Sequence, residues 1–236
     1  MYSKRKLGRV LVSNNTLQFL ANGEVQSFLK DYQISHDKLH SKYIIPNGKP
    51  DLKFPHVSKP EGIEYSIIVV GRIEPRKRNL ELANLAHQHG IPITFLGAFA
   101  HEASRYAKEF QSIVTVSDYV TYLGGRTYEE SAEIIGRSKV LLNVSFAEVL
   151  SLVELEAAAQ GKWIVSSGVG YSREYISAAQ FKTFPENNLK EGLEIASHLA
   201  GLEPIQFNVT KILSWADVAS KYDAMYRQLI SEKLKK

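Results

Sequence analysis

The sequence contains no cysteine. Disulfide staples, thiolate nucleophiles and cysteine-based zinc or iron–sulfur sites are therefore excluded. It has no run of about 18 apolar residues, so no bilayer-spanning helix is expected. The basic start, residues 1–6 (MYSKRK), is not followed by an apolar core of roughly 7–15 residues. No secretory leader is expected from it, and the expected location is cytoplasmic. Internal repeats and low-complexity stretches are also missing. What is there is ordinary: 236 residues, 44% apolar and 23% charged. That is room for one large domain or two small ones with a sizeable core, and it excludes a disordered or fibrous chain. The net charge of +4 and the pI near 9.0 suit an acidic partner, with phosphate, nucleic acid and anionic lipid all open.

Short apolar runs alternate with amphipathic stretches. Strands are expected at 66–70, 93–96, 120–123, 140–144 and 163–166, with a weaker one at 181–184. Helical patterns lie between them at 79–89, 101–110, 128–137, 152–160, 171–179 and 187–200. This alternation predicts right-handed βαβ units and a Rossmann-like, doubly wound parallel sheet over 61–202. Gly90 and Pro92 stop the first helix. Thr127 with Glu130 and Ser151 with Glu154 have capping-box spacing. The first 60 residues differ. A strand is expected at Val10–Val12, a helix over Thr16–Tyr32 and a strand at Tyr43–Ile45, then the turn Pro46-Asn47-Gly48 and a linker with Pro50, Pro55 and Pro60. One strand–helix–strand unit is too small to bury its own core, so it must dock on something. A long helix is expected from Ser214 to about Ile230.

Two loops carry candidate chemistry. Gly71-Arg72-Ile73-Glu74-Pro75-Arg76-Lys77-Arg78 follows an apolar strand, where ligands bind in open parallel sheets. Gly71 permits a tight turn, Arg72 offers a planar fork for phosphate oxygens and Lys77 a compact charge. A merely solubilising basic loop is the competing reading. The second loop, Ser145 to Ser151, leads into a largely apolar helix that nonetheless carries Glu156. A buried carboxylate needs a partner, and vicinal ribose hydroxyls or a structural cation both qualify. Leu152 and Val153 open that helix and present backbone N–H groups to an anion. Glu148 precedes it.

Glu148 and Glu156 form E-x7-E, and Arg72-x4-Lys77 lies upstream. Together with Ile44-Ile45-Pro46-Asn47-Gly48, Tyr122-Leu123-Gly124-Gly125 before Thr127, and Lys162 to Ser167 before Gly170 and Arg173-Glu174, these resemble the retaining glycosyltransferases of the GT-B fold, in particular family 4. Ser214-Trp215 to Tyr226 resembles the family's closing helix. The resemblance implies a donor-binding domain at 61–236, with 1–60 the remnant of an N-terminal acceptor domain and its hinge. It implies catalytic roles for Arg72, Lys77 and Glu148: the cations bind the diphosphate of a UDP- or GDP-linked sugar, and Glu148 contacts the donor sugar near the reacting carbon. Gly71, Leu123, Arg126, Ser151, Leu152, Val153 and Glu156 would complete the donor site, with Glu156 on the ribose hydroxyls and Leu123–Arg126 against the base. Fixed cations would stabilise the leaving group, so no metal or other cofactor is expected. The chain departs from the family where Val149-Leu150-Ser151 stands in place of the usual Gly-Phe-Gly, and where Tyr171 replaces the second glycine of a pair. The added side chains restrict approach of sugar and phosphate to the backbone.

Other patterns carry less. His87 and His89 point to different faces of a helix, and no H-E-x-x-H occurs. Gly168-Val169-Gly170 lacks a third glycine for a dinucleotide fingerprint. The aromatics fall in strand positions rather than forming a stacking platform, so no nucleic acid partner is expected. Lys4-Arg5-Lys6 leaves peripheral contact with anionic lipid open. The expected function is sugar transfer from a nucleotide-diphosphate sugar with retention, to a glycan, lipid-linked or small-molecule acceptor. The alternative is a non-catalytic nucleotide-sugar-binding or assembly module that needs an acceptor-domain partner chain or a second copy. A sugar-nucleotide epimerase on the same fold ranks lower.

Overall fold

The N-terminal segment forms α1 (Lys4–Val12), β1 (Leu17–Phe19), α2 (Asn22–Asp31) and β2 (Lys42–Ile44) in the computed structural model. The structure describes residues 4–13, 15–39, 41–49, 64–203, 207 and 211–234. The linker at Pro50, Pro55 and Pro60 lies outside them. Three expectations are corrected here. Val10–Val12 ends a helix rather than forming a strand: Gly8 and Val12, four residues apart, are both buried, which is a helical spacing. The helix expected over Thr16–Tyr32 begins only at Asn22, because Leu17–Phe19 pairs in parallel with Lys42–Ile44 and is held extended. Val12, Phe19, Val25, Leu29, Ile34 and Leu39 make a small core of their own, contrary to the expectation that this segment is too small to bury one, because α1 supplies a second helix to cover the strand pair.

The remaining elements alternate as the pattern predicts: β3 (Tyr65–Val70), α3 (Asn79–His89), β4 (Ile93–Leu96), α4 (Arg105–Val116), β5 (Val120–Tyr122), α5 (Tyr128–Gly136), β6 (Ser138–Asn143), α6 (Leu152–Ala159), β7 (Trp163–Ser166), β8 (Phe181–Thr183), α7 (Leu189–Ala200) and α8 (Trp215–Leu234). The six strands β3 to β8 form one sheet in the order β5-β4-β3-β6-β7-β8, parallel throughout. Ile67 and Val69 face a core with Leu82, Ala86, Leu193 and Ala196, so α3 and α7 cover one face. By alternation Ile68, Leu141 and Ile164, all fully buried, face α5 and α6 on the other. Burial on both faces explains why these strands are near-continuous apolar runs.

Local signals held at Thr127, where both halves of the capping box form with Glu130. They failed at Ser151, which makes no side-chain cap to α6 because Glu154 turns inward instead. The helix expected at 171–179 is only a 3-10 turn, Ser172–Glu174. Buried polar contacts hold that segment: Ser172 bonds the Glu154 carboxyl, and Gln180 donates to the carbonyls of Ala158 and Lys162, both at 2.8 Å. Helix α4 starts at Arg105, capped by Ser104, rather than at 101.

By contacts the chain divides into residues 1–51 with 213–236, and residues 52–212. The closing helix therefore groups with the N-terminal segment and not with the sheet. Val218 and Met225 of α8 pack on Ile45, and Lys49 exchanges backbone bonds with Leu213 (2.7 Å) and Trp215 (3.1 Å). Among the described residues no helix is long and apolar enough to cross a membrane.

Candidate functional site

The chain leaves β3 outward through β4 and β5, then returns so that β6 lies on the other side of β3. The crevice between the loops after β3 and β6 is thus the topological switch point, where open parallel sheets bind ligands. These are the two loops singled out from the sequence. Gly71 ends β3 at φ +145°, and its N–H donates to Leu96 O at 2.9 Å. Beside it, a Cβ on Gly97 would stand 2.1 Å from the Gly71 carbonyl oxygen. The two loop backbones touch, and only glycine fits between them. Ile73, 2% exposed, plugs the loop into the core. A 3-10 turn at Pro75–Lys77 then delivers Lys77 beneath the loop.

Lys77 Nζ forms a close ion pair with Glu148 Oε1, both side chains being largely shielded. Arg76 supports the same carboxylate at 3.4 Å, donates to Ala147 O at 2.8 Å and pairs with Glu74 at 2.9 Å. The Phe146 N–H also donates to Arg76 O at 3.0 Å. Arg72 stands further out, with 65% of its side chain exposed and Glu74 at 3.7 Å. Arg78, in left-handed geometry at φ 55°, lies over the Phe146 ring at 4.4 Å. The structure therefore joins Arg72, Lys77 and Glu148 through Glu74 and Arg76, two residues of the basic loop to which the sequence pattern assigns no role. Arg76 was visible only as one more cation in a basic loop.

The first-turn amides of α6, Leu152 and Val153 among them, lack intrahelical acceptors, and the Ser151 hydroxyl does not cap them. They open α6 directly after the loop that follows β6. Glu156, one turn on, is bonded by the Tyr128 hydroxyl, and burial raises its pKa. Tyr128 is itself pushed up to about 12, by burial first and then by Glu156. The partner of Glu156 is thus a phenol rather than a structural cation. The fully buried acid is Glu154, 1% exposed, whose spacing from Ser151 predicts a capping box instead. Burial raises its pKa, against hydrogen bonds from Ser172, Ser166 and Asn143. Its signal in the sequence was Asn143 and Ser166, polar residues ending two apolar strands. Leu123 and Arg126 stand apart, at the end of β5 with β4 between them and β3. Leu123 N–H donates to Phe95 O at 2.9 Å, while Arg126 is exposed and donates to Gly125 O at 3.4 Å.

Residues 53–198 match the family described as glycosyl transferases group 1. The chain belongs to the glycosyl transferases group 1 family. As a group 1 sequence, it is 25% identical over 201 residues to the phosphatidylinositol N-acetylglucosaminyltransferase gpi3 subunit of Schizosaccharomyces pombe. That match covers 80% of this chain and 44% of the relative, so the chain spans less than half of the relative's length. Among solved structures it is similar to sucrose-phosphate synthase from Thermosynechococcus elongatus. The TM-score is 0.67 at 20% identity, covering 96% of this chain and 61% of that one. It is also similar to Anabaena Alr3699/HepE in complex with UDP and glucose. There the TM-score is 0.68 at 14% identity, covering 96% and 67%. At these identities the likeness is one of fold: this group 1 protein has the α/β architecture of GT-B glycosyltransferases.

Proposed function

We propose that the chain is the donor-binding part of a retaining glycosyltransferase that takes a UDP- or GDP-linked sugar. One observation carries this reading: the shielded Lys77–Glu148 pair at the switch point, facing the α6 N-terminus. A diphosphate entering the crevice meets Lys77 from one loop, Arg72 from its rim and the amides of Leu152 and Val153 from the helix. Glu148 then shares Lys77 with the phosphate and turns its remaining oxygen toward the donor sugar. As the bond from the anomeric carbon to the diphosphate breaks, the developing charge falls on Lys77 and Arg72. The acceptor hydroxyl attacks the same face and passes its proton to the departing phosphate, which accounts for retention. In this reading fixed cations take the charge without a metal. Glu156, oriented by Tyr128, accepts from the ribose hydroxyls, and Leu123–Arg126 lies against the base. UDP is favoured over GDP by the UDP in the Anabaena complex.

A second reading has its own observation. The chain spans 44% of a relative that is itself named a subunit. A nucleotide-sugar-binding module completed by an acceptor-domain partner chain, or by a second copy, fits that. The segment 1–60 is then the remnant of the acceptor side and its hinge, and the acceptor is a glycan, a lipid-linked group or a small molecule. Titration calorimetry with UDP and GDP tests the common core of both readings. Binding with a dissociation constant of about micromolar to millimolar, lost in Lys77→Ala and Glu156→Ala, is expected; folded protein that binds neither nucleotide overturns it. Nucleotide release from UDP-sugars that depends on Arg72 and Lys77 separates the enzyme from the module.

A further inference from the structure

The steps above leave one buried acid unused. Glu154 Oε1 accepts from Asn143 Nδ2 and from Ser166 Oγ, each at 2.7 Å, and Ser172 bonds the same carboxyl. Asn143 and Ser166 are register partners at the ends of β6 and β7. The carboxyl on the first turn of α6 therefore sits on the carboxyl edge of the sheet rather than in solvent. Asn143 leads directly into the loop that carries Glu148, and Ser172 lies next to a residue that contacts that loop. Asn143 Oδ1 accepts from the Ser145 N–H at 3.2 Å and from its hydroxyl at 2.8 Å, which fixes where that loop begins. Ser172 starts the turn just after Gly170 and Tyr171. The Tyr171 N–H donates to Val149 O at 2.8 Å, and a Cβ on Gly170 would stand 3.0 Å from Val149 O and 3.1 Å from Glu148 O. The Glu148 loop is held from below and from the side by groups anchored on one carboxyl.

We propose that Glu154 is a positioning residue: acting through Asn143 and Ser172, it sets the 145–151 segment so that Glu148 meets Lys77. The proposal rests on reading that pair as part of the donor site. A leucine at 154 would satisfy burial with no desolvation cost. A carboxyl there costs free energy that only its hydrogen bonds offset, and those bonds run to loop-bearing residues. Glu154 touches no nucleotide sugar in this account.

The test reads Lys77 directly. Under trace acetic anhydride, Lys77 in the ion pair is protected, and its acetylation is measured by peptide mass spectrometry against Lys190 on α7. In Glu154→Leu, Lys77 labelling is expected to rise by about threefold or more. In Glu154→Gln, whose amide can serve the same three partners once the serine hydroxyls rotate, it stays near wild type. A lower melting temperature with unchanged Lys77 labelling assigns Glu154 to packing alone and overturns the proposal. Where Glu154→Leu does not fold, Ser172→Ala removes one of the three bonds from the turn side and carries the same expectation. A parallel UDP titration should show about tenfold weaker binding in Glu154→Leu and little change in Glu154→Gln. Wild-type protein that binds neither UDP nor GDP defeats the donor-site reading, and the labelling result still decides the role of Glu154.

Discussion

At the amino ends of the six strands, Lys162 donates to the carbonyl of Gly136, the last residue of α5. Lys139 donates to the carbonyl of Ala200, the last residue of α7, at 2.9 Å. Both lysines cap helix C-termini, where the carbonyls lack partners and the dipole favours a cation. At the carboxyl ends Lys77 and Arg72 lie instead against Glu148 and Glu74. The same residue types serve opposite ends differently. A cation bonded to a main-chain carbonyl is committed to the fold, because losing it orphans a buried acceptor. A cation paired with a side-chain carboxylate, near a helix N-terminus, can exchange that partner for an anionic ligand at small structural cost.

The largest expected effect tests whether the carboxyl rim is rigid beneath its exchangeable charges. Gly97→Ala drives a Cβ to 2.1 Å from Gly71 O at φ +146°. It should cost more than about 3 kcal/mol in urea unfolding; a loss under about 1 kcal/mol would mean that the two loops part easily. Next come two lysines with reciprocal outcomes. Lys162→Ala leaves Gly136 O without its buried donor and should lose about 2 kcal/mol of stability with UDP affinity unchanged. Lys77→Ala should change stability by less than about 1 kcal/mol, since Arg76 remains on Glu148, yet weaken UDP binding at least about tenfold. Exchanged outcomes for these two would break the comparison.

A pH series sharpens it. Burial lowers the Lys162 pKa from 10.5 to about 8. Below pH 8 the buried ammonium is charged in both folded and unfolded chains and its desolvation cost is in full force. Between 8 and 10.5 the unfolded chain holds the proton that the folded chain has released, so stability rises with pH. Unfolding free energies of wild type and Lys162→Met should therefore move apart in favour of wild type across that window; parallel profiles would show that the ammonium is solvated. The smallest effect is expected for Arg72→Ala, whose side chain is 65% exposed. Stability should stay within about 0.5 kcal/mol, while UDP affinity falls about threefold from the loss of one partly screened phosphate contact.

Much of the sheet was legible in the sequence because strands buried on both faces leave continuous apolar runs, as at 66–70 and 140–144, and helices buried on one face leave a period. The loops bearing Lys77 and Glu148 were legible for a related reason: each directly follows such a run. Legibility failed where a distant partner overrode a local signal. Leu17–Phe19 is extended only because Lys42–Ile44 lies beside it. Ser151 and Glu154 have capping-box spacing, yet Asn143 and Ser166 draw Glu154 inward. The 171–179 stretch has helical spacing, but Ser172 and Gln180 are bonded into α6 and the start of β7.

By itself the sequence determined that the chain is an α/β protein without cysteine chemistry, which loops end its strands, and which charges those loops carry. Periodicity and composition record the burial of a residue's own element, so such properties survive without coordinates. Only the tertiary structure decided that Lys77 is paired with Glu148 while Lys162 serves Gly136, that Glu156 has a tyrosine for a partner, and that Glu154 is the buried acid. Those outcomes depend on which strand returns beside β3, and strand order is set by packing between segments far apart in the chain.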